Sequence, residues 1–210
     1  MNPTEGEKRA AAEAAAQLVE DGMTVGLGTG STVELLLAAL AARKPRIRCV
    51  ATSARTEHAA RKLGLDVEPF EALERLDLAI DGADQIAPDR WLVKGGGGAH
   101  TREKVVASAA ERFVVIASSD KLVAAIRPPV PLELLRFGLA ATVRALGPVR
   151  LRDGSSPDGN VIADYLGPVD DPASLAGRLS ATPGVVEHGL FPPELVDDVL
   201  VGTGSGVERR

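Results

Sequence analysis

Short apolar runs alternate with helix-length segments through the first 117 residues, and this rhythm constrains the fold more than any other feature. Residues 23–27, 47–51, 76–80 and 113–117 are runs of strand length. Between them, 33–42, 56–63 and 101–111 read as helices, and an alanine-rich helix over 5–20 precedes them, stopped by Asp21-Gly22. Strands alternating with helices predict a mostly parallel α/β sheet. At Pro128-Pro129-Val130-Pro131 the rhythm changes, and three prolines in four residues mark a boundary. Beyond it the predicted order is strand 132–135, helix 137–146, strand 149–152, strand 160–166, helix 172–181 and strand 185–190. That βαββαβ order predicts a smaller ferredoxin-like α/β domain. A last apolar segment, 196–201, is expected to return to the first domain. The expected division is therefore residues 1–128 with 200–210 as the large domain and 129–199 as the small one.

The chain has 210 residues, of which 45% are hydrophobic, enough for a sizeable core. With 24 basic against 29 acidic residues, its net charge of −5 argues against a nucleic-acid partner or a polybasic membrane surface. The single cysteine, Cys49, permits no internal disulfide and reads as a core residue beside Ile47 and Val50. No apolar run approaches the ~20 residues of a spanning helix. The polar start and the break at Glu13 give no signal-peptide core. A cytoplasmic protein is expected.

Three segments could carry chemistry. The first is Gly26-Leu27-Gly28-Thr29-Gly30-Ser31-Thr32, a glycine-rich turn from strand into helix. Backbone N–H groups at a helix start suit an anion, and the three hydroxyls add donors. It is neither a P-loop nor the GxGxxG dinucleotide fingerprint, so a phosphomonoester fits better than a nucleotide. A plain turn, with Ser31 or Thr32 capping the helix, is the alternative. The second is Asp81-Gly82-Ala83-Asp84, just past a buried strand. Carboxylates at the carboxyl end of a parallel sheet can hydrogen-bond sugar hydroxyls, exchange protons or bind a cation, and they also occur in turns. The third is Lys94 followed by four glycines, Gly95 to Gly98, then Ala99-His100-Thr101-Arg102-Glu103-Lys104. Four glycines carry a large entropic cost, which close backbone approach or unusual dihedrals would justify. Lys94 and the loop N–H groups could neutralise an oxyanion. Glu103 falls in the first turn of the next helix, where a carboxylate also stabilises the helix start.

His58, His100 and His188 are isolated, and with no cysteine pair a zinc site is not expected. His58 and His188 read as surface or packing residues; His100, beside the glycines, could line a pocket but reads first as a solvent-facing loop residue. Trp91 reads as core or interface. Only six of the 24 basic residues are lysine, which gives each retained lysine some interest.

Taken together the segments resemble ribose-5-phosphate isomerase of the A type. The resemblance spans essentially the whole chain and includes Pro183-Gly-Val-Val186 and Gly189-Leu-Phe191 as well. It implies interconversion of ribose 5-phosphate and ribulose 5-phosphate in the pentose phosphate pathway without metal or organic cofactor. It also implies a Rossmann-like mostly parallel domain plus a small α/β domain, a homodimer or homotetramer, and a small-molecule sugar phosphate as partner. By the same resemblance Thr29, Gly30, Ser31 and Thr32 would hold the phosphate with Lys121 and Lys8. Asp81 and Asp84, with Gly82 and Ala83 between them, would serve ring opening and sugar-hydroxyl contacts. Lys94, Gly95, Gly96 and Gly97 would line the reacting end, and Glu103 would be the base. The sequence departs from the family pattern at Gln85, where glutamate is common, and at Ser118, three before Lys121, where an acid is common. A deaminase-isomerase or coenzyme A transferase of similar architecture is the nearest alternative, and a non-catalytic sugar-phosphate sensor is a more distant one.

Overall fold

The computed structural model describes residues 3–210. In chain order the elements are α1 (Pro3–Ala16), β1 (Thr24–Leu27), α2 (Ser31–Arg43), β2 (Arg48–Ala51), α3 (Ala54–Lys62), β3 (Asp66–Val67) and β4 (Leu78–Gly82). Then come β5 (Gln85–Ile86), β6 (Leu92–Val93), α4 (His100–Ala109), β7 (Phe113–Ser118) and β8 (Val130–Leu134). The rest are α5 (Leu139–Leu146), β9 (Val149–Ser155), β10 (Val161–Tyr165), α6 (Pro172–Ser180), β11 (Val185–His188), β12 (Leu190–Phe191), β13 (Asp198–Thr203) and β14 (Gly206–Arg209). Among the described residues no helix is long and apolar enough to cross a membrane.

The chain forms two compact units. The first comprises the described residues up to Ala83, Arg102–Lys121 and Glu194–Arg210; the second is Asp84–Thr101 with Leu122–Pro193. This grouping differs from the boundaries expected from sequence. Residues 84–101 and 122–128 join the second unit although they precede or begin the proline-rich segment, and 194–199 join the first.

In the first unit seven strands run in the order β14-β13-β7-β4-β1-β2-β3. All neighbours pair in parallel except β13 with β14. β1 and β7 are buried along their whole length, as expected for parallel strands covered on both faces. Alternation assigns the two faces of β1. Val25 and Leu27 join a core with Ala11, Ala12, Ala15 and Ala16 of α1 and Leu36, Leu37 and Leu40 of α2. Gly26 faces the other way, where a Cβ would collide with Val106 of α4. The strand predicted over 196–201 does return here, as β13 beside β7. The chain leaves β1 towards β2 and β3, and leaves β4 towards β7 and β13. The carboxyl ends of β1 and β4 are thus the point where strand order reverses, where open α/β sheets bind ligands.

The predicted N-terminal helix ends four residues early, at Ala16. Gln17, Leu18 and Val19 close it with i→i−3 bonds, and Arg43 of α2 donates to the carbonyls of Ala16 and Val19. The last three carbonyls of the helix, Ala14 to Ala16, are thereby satisfied.

The second unit contains the βαββαβ element β8-α5-β9-β10-α6-β11. Its antiparallel sheet has the order β11-β8-β10-β9, the fourth, first, third and second strands of that element, which is the ferredoxin-like arrangement. Leu132, Leu134, Leu146, Tyr165, Leu175 and Leu179 share its core. The strand predicted over 185–190 divides at Gly189. β11 stays in this sheet and β12 pairs with β6 in a three-stranded sheet β12-β6-β5.

Candidate active site

In the first unit the loop after β1 and the end of β4 meet. Leu27 pairs with Ile80, so the residues that follow each strand emerge side by side. Gly28 continues the ladder, its N–H donating to Ile80 O at 3.0 Å. The buried Asp81 side chain crosses directly over Gly28, where a Cβ would collide with its carboxylate. Its Oδ1 accepts the N–H of Thr29 at 3.1 Å and of Gly82 at 2.7 Å. Only glycine at position 28 leaves room for a carboxylate to order the loop this way.

Gly30, with φ 138°, occupies the cap position of α2 and no side chain caps the helix. The alternative role for Ser31 or Thr32, capping the helix, is therefore not met. Ser31 is instead the first helical residue, and its hydroxyl accepts from Lys8 Nζ at 3.0 Å. That contact draws a lysine of α1 to the start of α2. Thr32 is buried. The Thr29 hydroxyl lies in a cluster that sequence reasoning missed: it is 2.8 Å from Thr52 Oγ1, 2.8 Å from Ser53 Oγ and 3.3 Å from Thr56 Oγ1. Thr56 in turn donates to Gly28 O at 2.9 Å. The signal was Ser53 three residues before Thr56, which caps α3 through Thr56 N–H at 3.2 Å.

Lys121 closes the turn after β7 and pairs with Asp120 at 3.3 Å. Burial opposes ionisation of Asp120, but the Ser118 hydroxyl and the charges of Lys121 and Lys8 hold its carboxyl below the usual range. The Ser118 hydroxyl, at the position where the sequence departs from the resemblance, thus orients Asp120 beside Lys121. The same turn is tied to α1, since Ser119 N–H and hydroxyl both donate to Glu7 Oε2, at 3.0 and 2.8 Å.

Glu103 is 4% exposed and lies in the first turn of α4. The C-terminal end of α4 sits beside Leu76, just before β4 begins, with Leu76 N–H on Ala109 O at 2.9 Å. The opposite end, with Glu103, therefore lies towards the carboxyl edge of the sheet. Glu103 and Val106 are one turn apart and share a helix face, the face that abuts Gly26 of β1.

In the second unit Lys94 follows β6 and is 2% exposed. Its N–H donates to Gly189 O at 2.9 Å, and its ammonium lies 5.4 Å from the centre of the Phe191 ring. β12 holds Phe191 opposite Leu92. This gives the Gly189-Leu-Phe191 segment a physical role, a cation–π face for a buried lysine. The glycine loop is ordered. Gly98 N–H donates to Gly95 O at 3.0 Å, and the exposed Asp84 accepts Gly96 N–H at 2.8 Å. Gly95 has φ 100°, and a Cβ there would lie 2.6 Å from His100 Nδ1.

His100 corrects the sequence expectation. It is fully buried as the first residue of α4, not a solvent-facing loop residue, because the ring fills the space left by Gly95. Asp81 and Asp84, equivalent in the sequence, also differ. The first is buried and bound to the N–H groups of Thr29 and Gly82; the second is exposed and bound to the glycine loop. Gln85 is used structurally, exchanging bonds of 2.8 and 3.0 Å with the backbone of Arg127.

The first unit has the strand order of a doubly wound α/β enzyme, with a glycine-rich helix start and a carboxylate at its strand ends, Lys8 on α1 and Lys121 in the turn after β7. The comparisons narrow that class. The family described as ribose 5-phosphate isomerase A (phosphoriboisomerase A) matches residues 48–206, and the chain belongs to it. Ribose-5-phosphate isomerase A of Caulobacter sp. (strain K31) is 45% identical, over 97% of this chain and 96% of the relative. The crystal structure of ribose 5 phosphate isomerase A from Neisseria gonorrhoeae superposes with a TM-score of 0.94 at 33% identity, covering 100% of this chain and 97% of the other. A D-ribose-5-phosphate isomerase in complex with phospho-erythronic acid gives 0.93 at 32% identity, covering 100% and 99%. The DeoR C terminal sensor domain matches only residues 4–66.

Proposed function

We infer that this chain interconverts D-ribose 5-phosphate and D-ribulose 5-phosphate, the reaction for which its family is named. The observation that carries the reading is the arrangement at the carboxyl ends of β1 and β4. There the carboxylate of Asp81 orders a glycine loop at a helix start while Lys8 reaches Ser31.

Thr29, Gly30, Ser31 and Thr32 bind the phosphate through N–H and hydroxyl donors, with Lys8 and Lys121 as countercharges. A protein of net charge −5 gains no global attraction for a phosphate dianion, so these local donors supply it. The anchored phosphate then orients the reacting end of the sugar. One of Asp81 and Asp84 opens the furanose, moving the O1 proton while the ring oxygen gains one. Gly82 and Ala83 give the backbone between these two acids.

Glu103, as carboxylate, removes the proton from C2 of the open-chain aldose. The C–H electrons form the C1–C2 double bond and the carbonyl oxygen O1 takes the negative charge. Lys94 and N–H groups of Gly95, Gly96 and Gly97 stabilise that charge. Transfer of the hydroxyl proton from O2 to O1 and return of the carbon-bound proton to C1 completes the ketose. No metal or organic cofactor takes part in this scheme. The complex of a relative with phospho-erythronic acid, a phosphorylated four-carbon acid, supports a site for a short phosphorylated chain.

The protein works in the cytoplasm as a homodimer or homotetramer. Incubation of purified protein with ribose 5-phosphate, following ketopentose formation, tests the activity. Ketopentose formation that persists after chelator treatment is expected. A protein that binds the sugar phosphate without turnover would instead be a sensor.

A further inference from the structure

Arg152 of β9 belongs to none of the roles above, yet its guanidinium reaches the glycine loop. Nη1 donates to both Gly95 O and Gly96 O, at 3.0 Å each. Nη2 pairs with Asp164 of β10, a buried carboxylate that also binds Arg150 at 3.0 Å. The single carboxylate offsets part of this positive charge, and the rigid fork is anchored on a sheet.

A trans peptide points its C=O and the following N–H in opposite directions. Holding Gly95 O sends Gly96 N–H the other way, where Asp84 accepts it at 2.8 Å. Holding Gly96 O likewise fixes the direction of Gly97 N–H. Glycine peptides rotate more freely than any others, so this loop could otherwise turn a carbonyl oxygen towards an anion.

We propose that Arg152 is a positioning residue for the isomerisation, gripping Gly95 O and Gly96 O so that Gly97 N–H is presented to the developing enediolate oxygen. This rests on the function inferred above. Arg152 touches no substrate atom in this scheme, so its loss should affect the transition state and spare ground-state binding of the phosphate.

The test compares Arg152→Met and Arg152→Lys with wild type in steady-state turnover of ribose 5-phosphate, with Tm measured alongside. Arg150 still pairs with Asp164 in both variants, so both are expected to fold. For Arg152→Met, kcat should fall by roughly 10²–10³-fold, the cost of a lost oxyanion donor, with KM within about twofold. Arg152→Lys retains the charge but not the fork, so a smaller loss, again in kcat alone, is expected. Wild-type kcat in a folded Arg152→Met variant would overturn the proposal, as would a rise in KM at constant kcat, or failure of both variants to fold. An inactive wild type would instead overturn the isomerase reading, so the two failures are distinguishable.

Discussion

The carboxylate of Asp81 occupies the space that a side chain at position 28 would need, and from there it holds the N–H groups of Thr29 and Gly82. Strand pairing between β1 and β4 creates this relationship, and it links a proposed phosphate loop to a proposed ring-opening acid.

Gly28→Ala should therefore damage both the site and the fold. The methyl group must displace a buried carboxylate, an overpacking cost of about 1–3 kcal/mol. Losing the Asp81 bonds should also unseat Thr29. KM for ribose 5-phosphate should rise at least about tenfold, equivalent to ~1.4 kcal/mol. A kinetic assay with a melting curve checks both parts.

The hydroxyl cluster around Thr29 yields a second test. Thr29→Val keeps the shape but removes contacts to Thr52, Ser53 and Thr56. Each hydrogen bond is worth about 0.5–1.5 kcal/mol net. A loss of stability of about 1–2 kcal/mol by denaturant unfolding is expected, together with a higher KM.

Much of this first site was legible in the sequence. The run 23–27 and the glycines after it have the composition of a buried strand entering a helix, and β1 and α2 lie there. The order βαββαβ was legible for the same reason, each element being long enough to show its period. Two-residue strands such as β3 and β5 show no period, and β14 is exposed along its length, so no apolar pattern marks it. The contrast between Asp81 and Asp84 and the grip of Arg152 depend on residues distant in sequence. Local spacing carries no trace of them.

Asp164 predicts a defined acid sensitivity. Burial raises its carboxyl, but hydrogen bonds and charge from Arg152 and Arg150 outweigh that and hold it below the ordinary range. Its folded value is thus lower than its unfolded one. The stability it contributes is complete above the unfolded value of about 3.9 and is lost as pH falls through the lower folded value. Asp164→Asn should lower Tm at pH 7, and its deficit relative to wild type should shrink towards pH 3.

Cys49 should be inert while the protein is folded. It is fully buried, and burial, with the nearby charges of Asp66 and Glu68, pushes its thiol up to about 12. The thiolate is the reactive form. A thiol reagent at pH 8 should label it only at the rate of unfolding, while labelling in denaturant should be fast.

Turnover of ribose 5-phosphate by Glu103→Gln tests the central claim most directly. The substitution preserves shape and removes the base. The account predicts a kcat lower by roughly 10²–10⁴-fold, with KM within a few-fold of wild type. Wild-type turnover in that variant would contradict the assignment of proton transfer to Glu103.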